Sequence, residues 1–342
     1  MLENLHDRET GQFARVNMEL YHVLPPLSSF CKKKIRTFSK KDAKFLQKAL
    51  LFVIIAVEMW NGKGKDMRTV RLGAWLLLVL FLFSGCRSAV EKPFSVVFLD
   101  VGQGNATLLQ TPDGDVLVDC GPESAQETLC RKLKARGVQT LKFLILTHPD
   151  EDHIGGADLI LEQIPVDAIL YNGGVEESES FARFLAAAAQ KNLPVTALDR
   201  DDEAILQDLK ITVLHPEDRT DPGDGNKGSL VFRAEYRNLS LLFTGDADES
   251  VEKLLLQTTS ARLSAMVLQV GHHGAATSSS LEFLQAVSPS VAVISCGAEN
   301  RYGHPDGRVL ERLRGIGATV YRTDLEGDVV LLWNGETLQK QE

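Results

Sequence analysis

From Phe94 onward, apolar runs alternate with amphipathic stretches along the chain. Phe94–Asp100 reads as a strand. Ala106–Thr111 and Val116–Asp119 follow as strands joined by a Pro112-Asp113-Gly114 turn. Ala125–Arg136 has helical spacing and stops at Gly137. Leu141–Thr147 is a buried-strand run that leads straight into His148, and a helix starts at Gly156. Ala168–Tyr171 is a strand and Phe181–Gln190 a helix. Leu209–Leu214, Ser229–Tyr236 and Leu239–Thr244 are strands, the last two joined across Arg237-Asn238. Helix Asp248–Gln257, strand Ala265–Val270, helix Ser280–Ala286, strand Val291–Ser295 and helix Arg308–Arg314 come next. Thr319–Arg322 and Asp328–Trp333 close the series. Strands alternating with helices predict layered α/β packing, with sheets covered by helices. Asp100, Asp119, His148, Asp246 and His272 each fall at or just past the C-terminal end of an apolar strand. That edge is where α/β sheets gather ligand and catalytic groups.

The front of the chain follows another pattern. From Met67 a basic Met-Arg-Thr-Val-Arg leads into the apolar run Leu72–Phe83 and then Ser84-Gly85-Cys86. A basic start, a short apolar middle and small residues before a cut describe a secretory signal over residues 67–86. The Cys after Ser-Gly resembles a bacterial lipoprotein box, which implies lipidation at Cys86 and a protein held on the outer face of the cytoplasmic membrane. An uncleaved signal acting as the anchor is the alternative, although the run is short for a core of roughly 30 Å. Residues 1–66 hold an apolar stretch at Ala49–Val57, about half of what a spanning helix needs. They are expected to be upstream sequence that precedes a true start at Met67, or a disordered extension. Residues 87–93 form a linker, and residues 94–342 one domain.

Charge separates the same regions. Residues 1–66 carry 12 Lys/Arg against 7 Asp/Glu, whereas residues 87–342 carry 23 against 39, a net −16. Such a body argues against a protein that holds nucleic acid by neutralising many phosphates. It leaves room for a small phosphate pocket organised by metal. The five cysteines form no CxxC pair and no spacing of a disulfide framework.

The densest chemistry is His148-Pro-Asp150-Glu-Asp152-His153-Ile-Gly-Gly156. Unpaired carboxylates this crowded do not form a core. His and Asp at such spacing after a buried strand mark a metal site, and Gly155-Gly156 allow a close backbone approach. The segment resembles the H-x-H-x-D-H loop of metallo-β-lactamase-fold hydrolases, with Asp150 at the middle His. Phe98–Ala106, Val118–Gly121, Ser229–Phe232, Leu242–Asp246, Gly271-His-His-Gly274 and Gly303-His304-Pro305 occur in the order found in the hydrolase domain of ComEC competence proteins. Asn105 departs from that pattern, where Asp is usual after Gly-Gln-Gly.

The resemblance implies a four-layer αββα sandwich and a metal-dependent hydrolase, foremost a phosphodiesterase or nuclease using metal-activated hydroxide. It implies two divalent ions: His148 and Asp150 on one, Asp152 and His153 on the other, Asp246 bridging. His272, with His273 as alternative, completes a shell. Asp152 and His304 are the catalytic candidates, His304 either ligating the second metal or contacting the scissile group, and Asp119 orients a ligand from behind. A carboxylate-rich set suits manganese, and imidazoles permit zinc. Thr277–Ser280 precede a helix, so Ser278 and Ser279 either bind a substrate anion or cap the helix. The expected partners are a phosphodiester, DNA included, and the membrane through the lipid; no obligate protein partner is evident. An acyl hydrolase of the same fold is the alternative function, and a non-catalytic binding module the third. His215 reads as structural. The Gly102-Gln-Gly104, Gly223–Ser229 and Asp221–Asn226 segments match nucleotide or calcium motifs only in part and read as turns.

Overall fold

The computed structural model describes residues 93–341 except 222–224. The extension, the signal and Cys86 therefore lie outside the described residues. Strands β1 (Phe94–Phe98), β2 (Thr107–Thr111), β3 (Gly114–Val118), β4 (Leu141–Leu146), β5 (Val166–Tyr171) and β6 (Val195–Ala197) belong to one sheet. Strands β7 (Glu203–Leu206), β8 (Leu209–His215), β9 (Val231–Tyr236), β10 (Leu239–Phe243), β11 (Val267–Gln269), β12 (Val291–Ile294) and β13 (Thr319–Arg322) form the second. The chain then returns to the first sheet with β14 (Val329–Trp333), beside β1, and β15 (Leu338–Lys340) at its edge.

Three apolar clusters make this a four-layer αββα sandwich. Phe94, Val96 and Phe98 alternate toward the second sheet, where they meet Phe232, Tyr236 and Phe243 in the central layer. On the outer face of the first sheet, Val97, Leu117 and Leu144 pack under helices α1 (Gln126–Ala135), α2 (Glu151–Ile154), α3 (Ala157–Gln163) and α4 (Glu179–Gln190). The second sheet is covered by α5 (Glu249–Thr258), α6 (Leu281–Val287) and α7 (Gly307–Gly315) through Leu242, Leu268 and Ala292. A short α8 (Thr323–Glu326) follows β13. Period-two alternation gives each inner strand two buried faces, which is why the strands read as continuous apolar runs.

Three strands were not visible in the sequence pattern. β6, β7 and β15 are edge strands of three or four residues with mixed exposure, so no apolar run announces them. β15 also extends the chain's structure beyond Trp333, where the apolar pattern ends.

Direction matters most for the site. β3, β4, β5 and β6 run parallel, and so do β10, β11, β12 and β13. Each parallel half carries its strand ends to one edge. That edge of each sheet holds the segments after β3, β4, β10, β11 and β12, where the sequence places its polar residues.

Candidate metal centre

Asp119 follows β3 in a left-handed conformation, φ 58°, one that Asp adopts more readily than most residues. Its carboxylate is almost fully buried and fully used. Oδ1 accepts from the Thr147 N–H at 2.8 Å, and Oδ2 from the Thr147 hydroxyl at 2.9 Å. Oδ2 also lies 2.8 Å from His153 Nδ1. The ring thus donates from Nδ1, and its Nε2 is turned away from Asp119. The end of β4 and the His153 tautomer are set by one carboxylate.

After His148, Asp150 is extended, and the chain closes the single turn α2. Gly155 and Gly156 let this turn press on the loop after β3: a Cβ on Gly156 would lie 2.6 Å from the Cys120 carbonyl oxygen. The Cys120 N–H donates to the His153 carbonyl across this contact. His148 is wholly buried, with Nε2 3.5 Å from Asp150 Oδ2; the Asp150 side chain is about a third exposed.

Asp246 arrives from the second sheet. Gln269 Oε1 accepts from the N–H groups of Thr244 and Gly245, and the Asp246 N–H donates to Ser229 Oγ at 2.9 Å. Asp246 Oδ1 lies 3.1 Å from His153 Nε2, and Oδ2 lies 3.4 Å from His273 Nε2. His273 is buried in the Gly271–Gly274 turn, where His272 and His273 both have positive φ, 48° and 53°. Two successive left-handed non-glycine residues store strain of about 1–3 kcal/mol each, which the surrounding structure must hold. The Ser295 carbonyl, just past β12, accepts from His273 Nδ1 at 2.8 Å, leaving Nε2 3.1 Å from Asp152 Oδ2.

Two groups of potential ligand atoms therefore converge, His148–His153–Asp246 and Asp152–His153–His273, each with its atoms within 4.8 Å of one another. His148 Nε2, His153 Nε2 and Asp246 Oδ1 are buried without a hydrogen-bond partner. The last two are only 3.1 Å apart, so they are close but misaligned for a hydrogen bond. Buried polar atoms left in this state cost a folded protein about 1–3 kcal/mol each, and convergence on a shared cation removes that cost. Imidazole nitrogens with carboxylate oxygens are a donor set for a divalent transition ion. The residues fit such an ion.

The electrostatics agree. Burial pulls the His153 imidazole down, but the carboxylates of Asp246 and Asp119 overcome it and hold its pKa well above the usual range. His273 is treated likewise by burial, Asp246 and Asp152, and ends at about 10. Burial pushes Asp246 and Asp152 up, yet the facing imidazoles leave both below the usual carboxylate range. The facing carboxylates thus favour the cationic forms of His153 and His273, as they would favour a bound cation.

His272 and His304 stand at the mouth. His272 is partly exposed, with Nε2 3.8 Å from Asp246 Oδ2 and the Asn226 amide 3.5 Å from its ring nitrogens. The sequence favoured His272 as the ligand. The structure brings His273 into the cluster and leaves His272 at the rim: two successive left-handed residues set the rings 68° apart, and the Ser295 carbonyl and Asp152 hold that of His273 inward. The His304 ring is 5.6 Å from that of His272 and 6.2 Å from that of His273. Burial lowers the His304 pKa, and the neighbouring His273 and His272 lower it further.

Ser278 and Ser279 are placed differently from the anion-binding expectation. Both are buried; Ser278 Oγ donates to the carbonyls of Gly271 and Ala275. The N–H groups of Ser279 and Ser280 donate to the carboxylate of Glu252 on α5. The anion at this turn is the chain's own, and Ser280 Oγ caps α6. Asp100 also stays out of the cluster, its carboxylate accepting from the Gly102 N–H. Sequence reasoning missed Thr147 and Gln269 as supports, and also Asn300, whose side-chain amide brackets the backbone of His304. Gln269 had a signal, as the lone polar residue late in the apolar run Ala265–Val270. Asn300 had none.

Residues 99–298 match the family model described as the metallo-beta-lactamase superfamily. The chain is 31% identical over 298 residues to ComE operon protein 3 of Bacillus subtilis (strain 168), covering 82% of this chain and 38% of that protein. It is 34% identical over 264 residues to Competence protein ComA of Neisseria gonorrhoeae, covering 76% of this chain and 36% of the relative. Little more than a third of each relative's length is thus spanned. Among solved structures, the metallo-beta-lactamase fold protein YhfI from Bacillus subtilis is similar with a TM-score of 0.47 at 15% identity, over 70% of this chain and 99% of YhfI.

Proposed function

The chain belongs to the metallo-beta-lactamase superfamily, and from that premise we propose that it is a binuclear phosphodiesterase acting on nucleic acid outside the cytoplasmic membrane. The observation that carries the reading is the donor set. Asp246 turns one oxygen toward His153 and the other toward His273, the disposition of a bridging carboxylate. Because His153 offers a single free nitrogen, it serves one ion only. His148, Asp150 and Asp246 flank one position; Asp152, His273 and the other Asp246 oxygen flank the next. Two divalent ions at such positions supply a water of lowered pKa and neutralise charge on a phosphoryl oxygen.

Carboxylates outnumber what a histidine-dominated zinc site uses, and a harder, oxygen-rich set favours manganese and phosphoryl oxygen over a lactam carbonyl. The chain's own residues do the rest. Asp119 and the Ser295 carbonyl engage Nδ1 of His153 and His273, so Nε2 of each ring would be the nitrogen offered to a metal. Asp152, partly exposed and 3.1 Å from His273 Nε2, is placed to hold a metal and would orient the water that such an ion supplies. His304, whose pKa is lowered by burial and by the neighbouring His273 and His272, would contact the scissile group. The competence proteins among the relatives support a nucleic-acid substrate, and Cys86 is the proposed lipid anchor.

The test is a screen of the full chain loaded with manganese or zinc, on bis-p-nitrophenyl phosphate, single-stranded and duplex DNA, and nitrocefin. Phosphodiester cleavage, best with manganese and lost in Asp152→Ala, is expected. Efficient nitrocefin hydrolysis without any phosphodiester cleavage would overturn the reading in favour of an acyl hydrolase.

A further inference from the structure

The Gly297–Asp306 loop delivers His304 to the mouth, and it is built rigidly. The Gly297 N–H donates to Gln103 Oε1 at 3.1 Å. Asn300 Nδ2 donates to the carbonyls of Gly297 and His304, and its Oδ1 accepts from the His304 N–H. The Asp306 N–H donates to the Gly274 carbonyl, tying the loop to the histidine turn.

Tyr302 projects from this frame and is 55% exposed, the one exposed large aromatic among the described residues. Its ring lies 5.7 Å from that of His304, with 23° between the planes. From there a line of rings runs inward: His304 to His273 at 6.2 Å, His273 to His153 at 5.4 Å, and His153 to His148 at 4.1 Å. On the solvent side, Arg301 Nη2 donates to the Tyr302 hydroxyl at 2.8 Å, and its guanidinium carbon lies 4.9 Å from the ring centroid. Among the described residues Arg301 has no carboxylate partner, its contact being Tyr302, although residues 87–342 carry a net −16. A planar, cationic, solvent-facing pair thus sits at the outer end of a column of rings that leads to the metal ligands.

On the phosphodiesterase reading, we propose that Arg301 and Tyr302 form a subsite for one unpaired nucleobase of a single-stranded nucleic acid, next to the phosphodiester that His304 contacts. An exposed aromatic with an arginine alongside is a stacking surface open to any base. A base inside a duplex is already stacked on its neighbours, so only a splayed or single-stranded base can use it. The same guanidinium meets the backbone charge that the acidic body otherwise repels. The subsite therefore selects single strands while adding one cationic contact.

The test is a cycle between protein and substrate. Binding of a labelled oligothymidylate to the full chain is read by fluorescence anisotropy, with abasic sites introduced one position at a time. Tyr302→Ala should weaken binding of the intact strand about five- to a hundredfold. One abasic position should weaken wild-type binding by a similar factor, and combining the two should cost little more. Tyr302→Trp should restore binding, and Arg301→Ala should lower the salt slope by about 0.7. Equal losses on intact and abasic strands at every position, or no measurable binding of the single strand, would overturn the subsite. If the wild type binds and shows the cycle but cleaves no phosphodiester, the hydrolase reading falls and the subsite stands.

Discussion

Asp119→Asn isolates how the strand framework controls the centre. The substitution keeps shape and volume at an almost fully buried position, so packing is retained. It changes which atoms can accept. The Thr147 N–H, 2.8 Å away, needs an acceptor, which forces the amide oxygen into the Oδ1 position. The NH2 group then occupies the Oδ2 position and faces His153 Nδ1. Nδ1 must accept, and the ring proton moves to Nε2, the nitrogen needed for metal. Reversing the amide would leave a buried N–H unsatisfied at a cost of about 1–3 kcal/mol, so the wrong tautomer is the preferred compromise. Loss of a carboxylate behind a histidine ligand weakens metal about 10- to 100-fold, or about 1.4–2.7 kcal/mol. Competition with a chromogenic chelator reads the affinity, and thermal unfolding of the metal-free protein reads the fold. We expect the affinity to fall by that factor while the metal-free Tm shifts by only a few degrees. Wild-type affinity in a folded Asp119→Asn protein would refute the argument that this carboxylate sets the ligand tautomer.

Three further outcomes are expected. The folded pKa of His273 is raised to about 10, against roughly 6.5 in an unfolded chain. This group's stabilisation of the metal-free protein is therefore full below about pH 6.5 and is lost as pH rises through about 10. Metal must displace that proton, so affinity should climb with pH across the same window, with protons released on loading, as calorimetry in buffers of different ionisation enthalpy would show; pH-independent loading without proton release would contradict it. Glu252→Ala removes the acceptor for the N–H groups of Ser279 and Ser280 and should cost about 2–4 kcal/mol in chemical denaturation; a loss below about 0.5 kcal/mol would show that water replaces the carboxylate. Expressed from Met67, the protein should appear in the membrane fraction and take up radiolabelled fatty acid, and Cys86→Ser should abolish the labelling; equal labelling of both proteins would exclude lipidation at Cys86.

What the sequence could determine by itself was whatever depends on local period and local crowding. Central strands such as Leu141–Leu146 and Val291–Ile294 are largely buried on both faces and appear as apolar runs, the first interrupted only by Lys142. The His148–Gly156 segment is legible for the opposite reason: so many carboxylates and imidazoles next to such a run have few uses besides a cation. Edge strands β6, β7 and β15 were not legible, because half-exposed residues need no apolar pattern. Choices among near-equivalent polar residues were decided only by tertiary structure. His272 and His273 are adjacent and chemically identical, and nothing local says which ring turns inward. That depends on two consecutive left-handed residues and on the Ser295 carbonyl, which β12 brings to His273 from 22 positions away. Ser278 and Ser279 look like an anion site until α5 places Glu252 against them, an occupant 27 residues from Ser279. Asp119 and Asp246 acquire their partners in the same way. A side chain's chemistry is written at its own position, but its direction and its partner are set by distant segments that packing brings together.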